Sequence, residues 1–217
     1  MKHPFALLCC LLVFSLGASA GLILHSNSTV GNFDASSGTR DVAVTGLEAG
    51  YGTGTISDVV VAINFAKADG SNFDPPYPGG TPFYDEIRFM LTGPGAQNVT
   101  LIAADSWSSG SGQFDGIIYF DQSAGQVVNY TTGPVAGTFR PTGAGSLDDY
   151  LGTSALGTWT LTIQDTVGSD SLRFRNFDLY IGTDGSQWQG GGGEIPEPGT
   201  YLLVGAGLLL IPLFRRR

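Results

Sequence analysis

Aspartates are the most plentiful ionisable side chains in this 217-residue sequence. Asp58, Asp85 and Asp165 each stand at the edge of an alternating apolar run, where strand ends could gather carboxylates at one end of a sandwich. Hard cations prefer carboxylate and carbonyl oxygens, so calcium is the metal such a set would hold. Turn and strand-end aspartates also accept backbone N–H bonds with no metal involved, and that reading stays open for all three. A correctly spaced carboxylate pair is the minimum a glycosidase needs, which keeps a hydrolase using paired aspartates as a further alternative. Other catalytic machinery lacks its parts. Beyond the first twenty residues the only histidine is His25, expected in a mobile chain end, and no Gly-x-Ser-x-Gly elbow lies within that stretch. Both cysteines, Cys9 and Cys10, fall within those twenty residues. The remainder therefore has no thiolate chemistry, no disulfide and a poor ligand supply for zinc. No catalytic residue is assigned, and a non-enzymatic role is expected. Trp107, in a Ser/Gly loop, and Trp188, in a Gly/Gln-rich stretch, are candidates for stacking on sugar rings, with packing as the alternative. Trp159 belongs to a core.

The elements that must position these residues read as all-β. Glycine is abundant, with 33 of 217 residues, turn clusters recur, and no long stretch repeats apolar residues at helical spacing. Strands are expected over 41–47, 55–65, 85–91, 99–103, 117–120, 127–130, 157–165 and 172–181. In the second, Val59, Val61, Ile63 and Phe65 alternate with Val60, Ala62 and Asn64. Apolar residues on both faces suit a central strand. Trp159, Leu161 and Ile163 alternate with threonines in the clearest pattern of the chain. In 172–181 the apolar phase switches between Phe174 and Phe177, which predicts a bulge near Arg175-Asn176. Residues 67–82 are proline-rich and expected as an exposed loop, and 183–194 as a flexible Gly-rich linker. Short antiparallel strands with Gly-rich turns indicate a β-sandwich or jelly roll. Residues 21–182 are long enough for an ordinary hydrophobic core.

Both ends carry targeting signals. Phe5 to Leu16 is an apolar run followed by Ala18-Ser19-Ala20, the pattern of a secretory signal peptide (1–20) cut after Ala20. At the other end, Tyr201 to Phe214 has no charge and Arg215, Arg216 and Arg217 follow it. Fourteen residues at about 1.5 Å each span roughly 21 Å, short for a hydrocarbon core of about 30 Å. The arginines stay on the cytoplasmic side and leave the bulk of the protein outside the cytoplasm. Between Gly21 and Glu194 there are eighteen acidic and six basic residues. Such a surface repels phosphate backbones, so nucleic acid is not an expected partner.

Pro196-Glu197-Pro198, the short apolar segment and the terminal arginines together resemble the PEP-CTERM sorting tail of Gram-negative bacteria (195–217). That resemblance implies an exosortase as partner, transient residence in the inner membrane through a short C-terminal transmembrane helix, and delivery to the cell surface or medium. It also implies association with exopolysaccharide and biofilm. A permanent single-span anchor is the alternative.

Three blocks of the body resemble the P domain (P/Homo B) of subtilisin-like proprotein convertases. They are Gly54 to Val61, Asp85 to Gly95, and Gly137 to Ile181 with its Gly157-Thr158-Trp159-Thr160-Leu161-Thr162-Ile163-Gln164-Asp165 core. This resemblance implies a jelly-roll fold and, in some members, calcium. It departs from the family pattern at Asn64-Phe65-Ala66, where a His-containing segment is usual, and at Phe177, where a tryptophan is common. The reading that results is an exported, non-enzymatic surface or matrix protein. A carbohydrate- or protein-binding module, with or without calcium, is the alternative.

Overall fold

A computed structural model describes residues 21–47, 53–71, 73, 80–108, 110, 112–128 and 131–190, and these form two facing β-sheets. The strands are β1 (Gly21–Asn27), β2 (Gly31–Phe33), β3 (Ser36–Val44), β4 (Ile56–Lys67), β5 (Ile87–Thr92), β6 (Asn98–Ile102), β7 (Phe114–Asp121), β8 (Gly137–Phe139), β9 (Gly157–Asp165) and β10 (Leu172–Thr183). The larger sheet runs β1-β10-β4-β7-β8, with β2 also paired to β10, and the smaller runs β3-β9-β5-β6. All pairings are antiparallel except β7 with β8. The all-β sandwich expected from the sequence is therefore present. The signal peptide with Ala18 and Ala20, the triplet Pro196-Glu197-Pro198, the C-terminal apolar segment and Arg215 to Arg217 lie outside the described residues.

Period-two alternation builds the core. Val59, Val61, Ile63 and Phe65 of β4 and Phe177, Leu179 and Ile181 of β10 face Phe89 and Leu91 of β5 and Trp159, Leu161 and Ile163 of β9 in one buried cluster. β4 is central, with Val60 and Ala62 of its outer face buried as well. The predicted bulge is present: the β10–β4 register shifts between Phe174 and Asn176. A 3-10 turn, Leu147–Tyr150, is closed by a Ser146/Asp149 capping box, and it brings Tyr150 edge-on to Trp159 with ring centroids 4.9 Å apart. The Tyr150 hydroxyl donates to the carbonyls of Leu91 and Gln97, at 3.0 Å each.

Several boundaries differ from expectation. β1 and β2 were not anticipated. His25 is not in a mobile end but pairs opposite Leu179 within β1. β1 is an edge strand with mixed burial, so its alternation is faint in the sequence. β3 starts at Ser36 rather than Asp41, its polar residues being exposed along a sheet edge. Val127 forms an isolated parallel bridge with Arg140, and Asn129 and Tyr130 of the strand expected over 127–130 lie outside the described residues. The loop expected from Lys67 begins one residue later, because Lys67 is the last residue of β4. Thr183 closes β10, and the stretch after it, expected as a linker, is bound to the sheet as far as Trp188.

Candidate functional site: a buried lysine–carboxylate cluster and an aromatic clasp

The three aspartates expected to converge do not. Asp58 lies near the start of β4, nine residues from Lys67 at its other end, or about 30 Å along the strand. Its carboxylate accepts the Trp188 backbone N–H at 2.7 Å, and burial raises its pKa. Asp165 ends β9 at the Lys67 end of the sandwich, bonded to that lysine. Asp85 sits in a 3-10 turn, Tyr84–Glu86, at the same end as Asp165, but its neighbour Glu86 is the residue that reaches inward. Among the described residues no group of three or more His, Cys, Asp or Glu is placed to hold a metal. Strand ends at opposite poles of a sandwich cannot share one ion, and the calcium set of Asp58, Asp85 and Asp165 is thereby corrected.

At the Asp165 end the core terminates in charge. Continuing the inward row of β4 beyond Phe65 places Lys67 between the sheets, and continuing Trp159, Leu161 and Ile163 on β9 places Asp165 opposite it. Both are buried, at 0% and 1% exposure, with Glu86 at 7%. The Lys67 ammonium donates to Glu86 Oε2 at 2.7 Å, to Asp165 Oδ2 at 2.8 Å and to the Asp170 carbonyl. Its three protons are thus all used. Across the sheets Lys67 is flanked by Leu172 and Phe114, and Asp165 by Ile87 and Ser36. One cation therefore faces two carboxyls. Burial pushes Glu86 up to about 7, against the opposing hydrogen bond and charge of Lys67. Burial likewise raises Asp165, with Lys67 and a Glu86 hydrogen bond pulling it down. The Asp165 Oδ1 atom is buried without a donor. A protonated Glu86 is the group within reach that could give one.

The scaffold fixes this cluster tightly. Asp170, in the β9–β10 connection, accepts from the Phe83 and Gly70 backbone N–H groups at 2.9 and 3.3 Å. That bond pair holds the Glu86 turn and the chain after Lys67 against the same connection. Thr166 donates both its N–H and its hydroxyl to the Glu86 carbonyl, at 3.1 Å each.

On the outer face of the larger sheet, Trp188 folds back over β4. Its ring stacks on Tyr119 at 5.4 Å and 26° and meets Tyr180 at 6.1 Å. Those tyrosines neighbour Ala62 and Val60 in the sheet register, so the indole lies over the small residues of the central strand. Ser57 donates to the Ser186 carbonyl at 2.7 Å, and Asp184 accepts from Thr53 at 2.7 Å. Trp188 is half-buried, Trp107 is buried against Phe65, and Trp159 is in the core as expected.

No protein-family model matches this chain. No curated protein matches it either. Among solved structures, the chain is similar to the serine protease of Aeromonas sobria, with 9% identity and a TM-score of 0.36, over 74% of this chain and 27% of that one. The same protease in complex with its chaperone ORF2 matches at 8% identity and a TM-score of 0.36, with the same coverage. Dimeric latent PorU from Porphyromonas gingivalis matches at 10% identity and a TM-score of 0.33, over 76% of this chain and 13% of that one. The chain thus spans roughly a quarter or less of the length of these proteins.

Proposed function

We propose that this is an exported, non-enzymatic surface or matrix protein of a Gram-negative bacterium, sorted by an exosortase and associated with exopolysaccharide. The observation that carries the reading is the pairing of an N-terminal secretory signal with the tripartite tail 195–217 around one β-sandwich. The fold is compatible with both processing events. β1 occupies Gly21–Asn27, so a cut after Ala20 leaves the strand whole. Gly21 is paired with Thr183, which puts the new N-terminus beside the exit of the chain toward the tail. In finer terms we read the sandwich as a P-domain-like jelly roll, on the three sequence blocks that resemble that family. Replacing Pro196, Glu197 and Pro198 by alanine and fractionating the native host tests the sorting. The protein is expected to accumulate in the inner membrane; unchanged delivery to the surface or medium would overturn the proposal.

The partly exposed Tyr119–Trp188–Tyr180 group favours a second reading, a carbohydrate-binding module, because aromatic faces stack on sugar rings. A glycan array comparing the protein with its Trp188→Ala variant decides it. Binding lost in the variant supports this reading, and no binding by either protein removes it.

A further inference from the structure

We infer that Lys67 and Asp165 are poised to condense into an intramolecular isopeptide bond, with Glu86 as the proton-transferring residue. The inference is independent of how the protein is sorted. Four features of the cluster carry it. The amine and the carboxyl that would react are in hydrogen-bond contact at 2.8 Å. They belong to different sheets, β4 in the larger and β9 in the smaller, and are held by the two halves of the core. A second carboxyl, Glu86, touches the same amine at 2.7 Å. The remaining Asp165 oxygen is buried with no donor.

Burial disfavours the charged forms of amine and acid alike, and so favours passing the lysine proton to a carboxylate. The neutral pair is the one that can react. The Lys67 Nζ lone pair attacks Cγ of the protonated Asp165 carboxyl while the Glu86 carboxyl gives its proton to the carbonyl oxygen. In the tetrahedral adduct Glu86 takes a proton from Nζ and passes it to the departing hydroxyl, and the remaining oxygen gives its proton back to Glu86 as the amide carbonyl forms. A Nζ–Cγ bond forms, a Cγ–O bond breaks and one water leaves. No oxidant or cofactor is needed: an ammonium and a carboxylate become an amide and water. Burial at 0% and 1% exposure keeps bulk water from reversing the step. Such a tie would join two sheets of a domain that has no cysteine beyond Cys10.

Peptide mapping of the full-length protein, purified folded and held at neutral pH, tests this. Trypsin is expected to leave Lys67 uncut and to release residues 41–88 joined to residues 89–173, since Arg140 precedes proline. The joined species should weigh one water less than its two parts. Glu86→Gln should give the two chains separate, with cleavage after Lys67. Loss of water alone does not suffice, because Asp115-Gly116 could cyclise to a succinimide, which would leave Lys67 cleavable. Quantitative cleavage after Lys67 in wild-type protein that unfolds cooperatively would overturn the inference. That outcome does not depend on whether the variant folds.

Discussion

Replacing Lys67 by methionine removes the cation bonded to Glu86 and Asp165 while keeping a flexible apolar stem. The ammonium bonds Glu86 at 2.7 Å and Asp165 at 2.8 Å with no exposure to solvent. Removing one partner from a buried ion pair typically costs about 3–5 kcal/mol, since the remaining charge is left uncompensated. The loss should depend on pH. A carboxyl whose folded pKa lies above its unfolded value contributes stability that is complete below the unfolded pKa and disappears as pH rises through the folded one. For Glu86 that window runs from 4.5 to about 7 even with Lys67 present. Without the lysine its pull is gone, and the window extends upward for both carboxyls. One such group changes stability by up to about 1.4 kcal/mol per pH unit, or about 3 kcal/mol across the Glu86 window. Urea unfolding followed by tryptophan fluorescence, at pH 5 and pH 8, is the assay, with wild-type protein whose Lys67 and Asp165 are still unlinked as the reference. Lys67→Met should be mildly destabilised relative to wild type at pH 5 and by about 3–5 kcal/mol at pH 8. An equal loss at both pH values, or a loss below about 1 kcal/mol at pH 8, would refute the electrostatic account.

Three further substitutions probe the frame around the cluster and clasp. Tyr150→Phe removes the hydroxyl that donates to Leu91 and Gln97, and should cost about 1–2 kcal/mol in chemical denaturation. Gly93→Ala puts a Cβ 2.5 Å from the Tyr150 ring and 3.0 Å from Trp159. Overpacking of that kind should cost about 1–3 kcal/mol, read from the denaturation midpoint. Trp188→Ala exposes Val60 and Ala62 and frees the chain after Thr183. Amide exchange should rise at Trp188, whose N–H bonds Asp58, and stability should fall by about 1–3 kcal/mol, less than for a fully buried tryptophan.

The sequence was most legible where alternation was strict. β4, β5 and β9 read directly, as did the β10 bulge, because apolar residues there repeat every second position and switch phase only once. β1 and β2 were hidden because edge strands bury little, so hydrogen bonds to β10 rather than a hydrophobic row define them. The cluster was hidden for a different reason. Lys67 and Asp165 stand one step beyond the apolar rows Val59 to Phe65 and Trp159 to Ile163, and a charge at that step reads as the strand leaving the core. Extending each period by two residues is the signal that would have paired them. Glu86 had no such signal, since only the 3-10 turn at Tyr84–Glu86 aims it inward. The expectation for Asp58, Asp85 and Asp165 failed because strand-edge position does not specify which pole of the sandwich an edge occupies. The linker reading of 183–190 failed because composition records glycine content, whereas Trp188 supplies the anchor.

Mass spectrometry of the mature protein from its native host tests the sorting account most directly. The account predicts an N-terminus at Gly21 and a C-terminus that has lost Arg215, Arg216 and Arg217, on protein recovered outside the inner membrane. An intact Arg217 on membrane-retained protein would contradict it.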